Sequence, residues 1–163
     1  MNEQKFKVGG VFSFSHIRDG KVIDTWEQPN IVVDAGLNYI LDAALSGATT
    51  STTHYIGLFS NNYTPIATTA ITDLTEVTTK YNETVRPTWN EGGAVSKTIS
   101  NSASVATFTF NLPENIYGAF LTNINTKGST AGRLIAASRF ASVRSMLALD
   151  VLQVTYSLSI SST

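Results

Sequence analysis

The sequence predicts a mainly β protein, an antiparallel β-sandwich or jelly roll that carries one amphipathic helix. Short apolar segments with two-residue alternation recur between turn signals, which predicts about eight to ten strands. Charged residues make up only 14% of the chain, whereas about 25% is typical. A single segment has helical periodicity. We therefore expect one β-sandwich domain over residues 1–163, long enough to bury roughly two-thirds of its unfolded surface.

The first predicted elements are two strands joined by a tight turn. Residues 5–17 alternate loosely, and the Gly-Gly pair at 9–10 predicts a bulge or a change of sheet. An Asp-Gly pair at 19–20 separates this run from the next apolar run, 22–27, and is typical of a β-hairpin. Pro29 then closes the second strand.

The segment 34–46 has the clearest helical pattern in the chain. Asp34 is a good N-cap, and the Ser-Gly pair at 46–47 supplies a C-terminal stop. Apolar residues recur at spacings of three and four, so we expect one face to pack inward. That face comprises Leu37, Ile40, Leu41, Ala44 and Leu45.

The remaining predicted elements are strands separated by loops. A polar Ser/Thr connector at 48–53 leads to a core strand at 55–59. A weakly patterned region at 60–90 follows, with a short helix or an irregular turn at 70–77. Loops of this length inside compact domains are usually functional or disordered. Later strands are predicted at 95–99, 104–111, 116–123, 134–138 and 151–160, with turns at 127–132 and 149–150.

No residue set in the sequence has the pattern of a catalytic or metal site. His16 and His54 lie in separate segments, with no carboxylate at a metal-ligand spacing beside either. The carboxylates are dispersed near turns. Residues 128–132 lack both the ending of a phosphate-binding loop and the spacing of a nucleophile elbow, and the chain has no cysteine. We therefore expect a non-enzymatic protein that uses no cofactor.

Charge and hydropathy argue against two classes of partner. The formal net charge is −1 and the 11 Lys and Arg residues are scattered singly, whereas nucleic-acid binding needs a clustered basic surface. No apolar run approaches the roughly 20 residues of a membrane span, and the N-terminal residues lack the apolar core of a signal peptide. We expect no nucleic-acid partner and no membrane partner. Low surface charge also suits burial against other proteins.

The aromatic residues divide into two groups. Trp26, Tyr63 and Trp89 fall at strand ends or in loops, and exposed Trp and Tyr anchors dominate protein contacts and stack on sugars. This pattern predicts the three as partner-binding residues; the alternative is that each folds back to plug an end of the sandwich. The second group follows strand patterns and is predicted to be core: Phe12, Phe14, Phe59, Phe108, Phe110 and Phe120.

Several segments together resemble structural proteins of tailed-bacteriophage virions. Residues 34–42 are similar to the Gly-Leu-Asn-Tyr-Leu-Leu-Asp helix of many such proteins, and residues 55–65 to their Gly-Leu-Phe-x-Asn-Asn-Tyr-Thr-Pro segment. Residues 81–89 are similar to their Tyr-x-Glu-x-Thr-Arg-Pro-x-Trp segment, and residues 116–121 and 137–141 also match. The order and spacing of these segments carry the resemblance over most of the chain.

The resemblance implies a capsid decoration or cement protein on the capsid exterior, assembled in the host cytoplasm, with the major capsid protein as its partner. It brings no catalytic residues with it. A low-charge sandwich must also cover its edge strands, so we expect copies of the chain to associate as a dimer or trimer. The alternative is a tail-associated or fibre module that binds host-surface carbohydrate through Trp26, Tyr63 or Trp89.

Overall fold

The computed structural model describes residues 5–162, and ten strands make up nearly half of them. In chain order these are β1 (Phe6–Arg18), β2 (Lys21–Pro29), β3 (Ile31–Val32), β4 (His54–Phe59), β5 (Thr88–Trp89), β6 (Thr98–Ser100), β7 (Ala106–Thr109), β8 (Glu114–Thr122), β9 (Leu134–Met146) and β10 (Val151–Ser162). The first sheet has the order β2-β1-β10-β6, and β7 also pairs with β10; the second has the order β3-β9-β8-β4-β5. Both sheets are antiparallel, so the predicted mainly β sandwich is confirmed.

Alternation along the strands explains how the core forms. Over residues 11–17 of β1 and 151–157 of β10 every second residue is buried, with Phe12 opposite Tyr156 and Phe14 opposite Val154. The six phenylalanines predicted to be core are all buried, which confirms that prediction. The second sheet contributes Ile56, Leu58, Ile116, Ala119 and Leu121 to the same apolar cluster.

Strand β1 runs without interruption through the Gly-Gly pair at 9–10, so the predicted bulge or change of sheet there is wrong. Its register with β10 is continuous along the whole strand. Gly10 is required for a different reason, because a Cβ there would collide with the carbonyl oxygen of Ser157. The irregularity lies instead between His16 and Ile17, in the pairing with β2.

The predicted hairpin and the end of the second strand are confirmed. Asp19 and Gly20 have positive φ angles of 51° and 72°, as a two-residue type I′ turn requires. Strand β2 ends at Pro29, which has no N–H to donate. The chain then crosses to the second sheet, where β3 pairs with β9.

A helix forms where the sequence predicts one, but its boundaries differ. Helix α1 (Asp34–Leu41) has Val33 as its N-cap, so Asp34 is its first residue and not its cap. A π-helical turn, Asp42–Ser46, follows it directly. The turn ends before Gly47, whose φ of 69° supplies the predicted stop.

The buried face of α1 also differs from the prediction. Gly36 and Tyr39 are its buried residues, because the helix approaches β9 so closely that a Cβ at Gly36 would collide with the Ile135 carbonyl group. Leu41 and Leu45 are exposed, Leu45 by 80%, so the prediction that they point inward is wrong. Two other members of the predicted face pack partly against the core, namely Leu37 and Ile40.

This geometry predicts opposite outcomes for two helix substitutions. Gly36→Val should lower the free energy of unfolding by about 1–3 kcal/mol, because the added methyl groups would force the helix away from the sheet. Leu41→Ala should change it by less than about 0.5 kcal/mol, because the side chain is exposed. Thermal denaturation followed by circular dichroism will measure both, and equal losses would contradict the close-packed face.

The weakly patterned region at 60–90 is held by buried apolar side chains and by backbone hydrogen bonds, such as that from the Val77 N–H to the Leu58 carbonyl oxygen. It contains a 3₁₀ turn, Ile71–Asp73, at the predicted irregular turn, and the short strand β5. Its apolar residues Leu74, Val77 and Tyr81 are buried. Among the later strands, β9 runs well past its predicted end, whereas β6 is shorter than predicted.

Candidate interaction surface

The outer face of the first sheet is covered by hydroxyl side chains, and we refer to it as the hydroxyl face. It forms because Ser and Thr occupy most of the positions that alternate with the inward-facing residues on five paired strands. Val11, Ile17 and Val151 are apolar residues on the same face. Cross-strand partners such as Ser15 and Thr25, or Ser157 and Ser100, lie side by side. Its hydroxyl residues are Ser13, Ser15, Thr25, Thr98, Ser100, Thr107, Thr109, Thr155, Ser157, Ser159 and Ser161.

The hydroxyl face carries little charge and is concave near its centre. Its paired positions include Lys7 and Glu27 as charged residues, and the Glu27 carboxylate accepts a hydrogen bond from the Ser13 hydroxyl at 3.1 Å. A depression of about 430 Å³ lies between Ser15, Thr155 and their neighbours. Each hydroxyl can both donate and accept a hydrogen bond. Burial of these groups by a polar partner therefore costs much less than burial of charges.

Trp26, the first predicted partner-binding residue, is half-buried between the sheets. Its ring stacks on Phe14 at 4.9 Å and meets Phe140 edge-on at 5.4 Å. The Arg144 guanidinium lies 4.4 Å from its centroid. The Trp26 indole nitrogen is buried and has no hydrogen-bond partner among the described residues. Both ring faces are therefore occupied, which leaves no free platform for a sugar.

Tyr63 and Trp89 lie in different environments. Tyr63 is half-buried, and its hydroxyl lies 3.3 Å from the Thr69 hydroxyl. Trp89 is only 4% exposed, because β5 carries it into the core, where its indole N–H donates to the Tyr156 carbonyl oxygen at 3.0 Å. The prediction that Trp89 is a surface anchor is wrong, and the alternative that it plugs the sandwich holds. None of the described ring contacts joins Trp26, Tyr63 or Trp89 to another of the three.

An apolar groove of about 320 Å³ lies beneath the helix, between α1 and the ends of β6 and β10. One ring nitrogen of His54 lies 3.2 Å from the Tyr39 hydroxyl oxygen. The other is buried without a hydrogen-bond partner among the described residues. Burial lowers the pKa of His54, which favours the neutral imidazole. The groove is lined mainly by apolar side chains, including Ile40, Ala44, Trp89, Ile99 and Leu158.

A buried ion pair holds the region 60–90, here called the long loop, against the turn at 127–132 before β9. The Arg86 guanidinium donates to both carboxylate oxygens of Glu76, at 2.6 and 2.7 Å. The Gly128 backbone N–H donates to the same carboxylate at 2.6 Å. The Lys127 ammonium lies 3.7 Å from the centroid of the Tyr81 ring, and burial raises the pKa of Tyr81. These contacts stabilise the sandwich and leave Arg86 no exposed surface.

A second ion cluster fixes the β9–β10 turn to the first hairpin. The Arg18 guanidinium donates twice to the buried Asp150 carboxylate, each time at 2.7 Å. His16 contacts the same carboxylate at 2.7 Å, and the Leu147 backbone N–H donates to it. These hydrogen bonds, led by those from Arg18, hold the pKa of Asp150 well below its usual range. Nothing in the local sequence around His16 indicates this pairing, because 134 residues separate it from Asp150.

The fold and these surfaces define a β-sandwich with one broad, weakly charged face. Within residues 5–162, no three or more His, Cys, Asp or Glu side chains are grouped to hold a metal ion. None of the described helices has the length and hydrophobicity needed to cross a membrane. Neither the models of known protein families nor the curated proteins include a match to this chain.

Proposed function

We propose that this chain is a non-enzymatic structural protein of a bacteriophage virion, a capsid decoration or cement subunit that binds the major capsid protein. The observation that carries the proposal is the hydroxyl face, because it is broad, nearly uncharged and concave. The resemblance of residues 34–42, 55–65 and 81–89 to virion proteins adds independent support.

In this proposal the hydroxyl face contacts the outside of the shell, and assembly takes place in the host cytoplasm. Hydroxyl groups form short neutral hydrogen bonds with backbone and side-chain groups of a partner. Neutral hydrogen bonds and apolar contacts are weakened little by salt, since screening acts on charges. A subunit that bridges shell proteins in this way stabilises the particle without ion pairs.

The first test of this role is binding to undecorated shells assembled from the cognate major capsid protein. We expect the purified chain to sediment with the shells at low salt and equally at about 1 M salt, where the Debye length is only about 3 Å. Ser157→Arg should abolish binding, because it places an unpaired charge in the centre of the contact. Co-sedimentation and quantitative gel analysis will measure both.

The matched control is Ser142→Arg, which places the same side chain on an exposed position of β9 outside the hydroxyl face. This variant should bind like the wild type. Release of the wild-type protein by salt would contradict a neutral interface. Equal binding by both arginine variants would show that the hydroxyl face is not the contact surface.

A further inference from the structure

The N-terminal part of β1 has one open edge. Strand β2 covers β1 from Arg18 only as far as Val11, which lies opposite Pro29. Beyond it, the Asn30 N–H donates to the Gly10 carbonyl oxygen at 3.1 Å, and the chain then leaves the sheet. On this side of residues 6–9, no strand pairs within the part of the chain that the structure describes.

The backbone groups that no described strand pairs at this edge belong to alternate residues. Because the Gly10 carbonyl points to the β2 side, the alternation of an antiparallel strand directs both backbone groups of Val8 and Phe6 to the same side. The backbone groups of Lys7 and Gly9 point the other way, towards β10. A row of unpaired N–H and C=O groups of this kind is a template for another strand.

The same segment exposes an apolar surface. Phe6 and Val8 share the inner face of the first sheet with Phe12 and Phe14. At this end the first sheet extends beyond the second sheet. The Phe6 side chain is therefore 72% exposed, and that of Ile160 on β10 is 39% exposed. An open edge next to an exposed phenylalanine is an unfavourable feature for an isolated monomer.

We propose that a second copy of this chain covers the edge, by antiparallel pairing of the two β1 strands about a twofold axis. Antiparallel pairing of a segment with itself satisfies the same groups on both copies, as an isologous interface requires. The incoming strand lies in line with β2, beyond Pro29. With Lys7 of each copy at the axis, Phe6 of one copy lies opposite Val8 of the other on the inner face, so the exposed apolar side chains cover one another.

The dimer has a consequence for shell binding, which rests on the proposed function. The twofold axis of such a pair is perpendicular to the sheet. It joins the first sheets of the two copies into one continuous sheet, with both hydroxyl faces on the same side. The dimer therefore offers the shell a surface twice as wide, and the second contact forms at high effective concentration. Phe6 of each copy is buried at the junction.

Sedimentation equilibrium of the full chain will test the dimer. We expect the wild type to be a dimer. Val8→Pro should weaken association by about tenfold or more, because proline removes the N–H at the open edge and leaves the bonds to β10 in place. Val8→Thr, the matched control, keeps the N–H and the β-branched shape and should remain a dimer. Phe6→Lys, at an exposed position, should also weaken association while circular dichroism stays unchanged.

The absence of native cysteine permits a second measurement. A single Lys7→Cys substitution lies close to the axis and should form a disulfide-linked dimer on oxidation, whereas Ser142→Cys should not. A monomeric wild type, or a dimer unaffected by both Val8→Pro and Phe6→Lys, would overturn the proposal. A monomer that still binds shells would overturn the dimer alone, and a dimer that binds no shell would overturn only the decoration role.

Discussion

Replacement of Arg86 by Met is expected to lower the free energy of unfolding by about 3–5 kcal/mol, because it leaves a buried carboxylate without its partner. The Arg86 side chain is fully buried, and that of Glu76 is 8% exposed. The guanidinium also donates to the carbonyl oxygens of Ile124 and Ser129, at 2.9 and 3.0 Å. One side chain thus joins the long loop to the turn before β9. Urea denaturation will measure the loss.

The matched control is Arg133→Met, at an exposed arginine whose guanidinium lies 4.0 Å from the Asp42 carboxylate. This change should alter stability by no more than about 1 kcal/mol, because exposed ion pairs contribute little. The double variant Arg86→Met, Glu76→Leu should recover part of the loss, since it removes the uncompensated charge. Similar losses from the Arg86 and Arg133 single variants would contradict the importance of the buried pair.

The sequence predicts the fold because the relevant signals are local. The buried and half-buried residues of β1 and β10 alternate with a two-residue period that is visible in the letters. The Asp-Gly pair at 19–20 and Pro29 mark a turn and a strand end through their own backbone preferences. The same alternation contains the hydroxyl face, because Ser and Thr fill most of the positions between inward-facing residues. The sequence does not show which strands become neighbours. That pairing decides which outward-facing Ser and Thr side chains lie together on one surface.

The incorrect predictions have a common cause in contacts between distant residues. The sequence around Trp89 predicts a surface anchor beside a loop. In the fold its indole N–H donates to the carbonyl oxygen of Tyr156, 67 residues away, and the ring is buried. The helix face shifts because Gly36 allows close contact with Ile135. Arg86 lies in the weakly patterned region at 60–90, and its partner Glu76 is one of many dispersed carboxylates. Periodicity within a segment carries no information about these pairings.

The second large effect is expected at Asn101, which fills a gap in the first sheet. Strand β10 pairs with β7 through Val154 and with β6 from Ser157 onward, which leaves Tyr156 without a strand on that side. The Asn101 side chain takes the place of the missing strand. Its carbonyl oxygen accepts from the Tyr156 N–H at 2.7 Å, and its amide donates to the Val154 carbonyl oxygen at 3.2 Å.

Asn101→Leu should lower the free energy of unfolding by about 2–6 kcal/mol, since each of two buried backbone groups left unsatisfied costs about 1–3 kcal/mol. The exposed Asn90 is the matched control, and Asn90→Leu should change stability by less than about 0.5 kcal/mol. Equal effects of the two leucine variants in urea denaturation would contradict the role of Asn101.

The substitution Asn101→Asp distinguishes the contributions of the two hydrogen bonds. It keeps the acceptor for the Tyr156 N–H, but when ionised it sets an oxygen against the Val154 carbonyl oxygen. Burial and this repulsion raise the pKa of the new carboxyl group above its value in the unfolded chain. Its stabilising contribution is then complete below the unfolded pKa and is lost as pH rises through the folded pKa. The stability deficit relative to wild type should therefore shrink on acidification, because a protonated carboxyl can donate to Val154. A deficit that stays constant from neutral pH to about pH 4 would show that the donor bond contributes nothing.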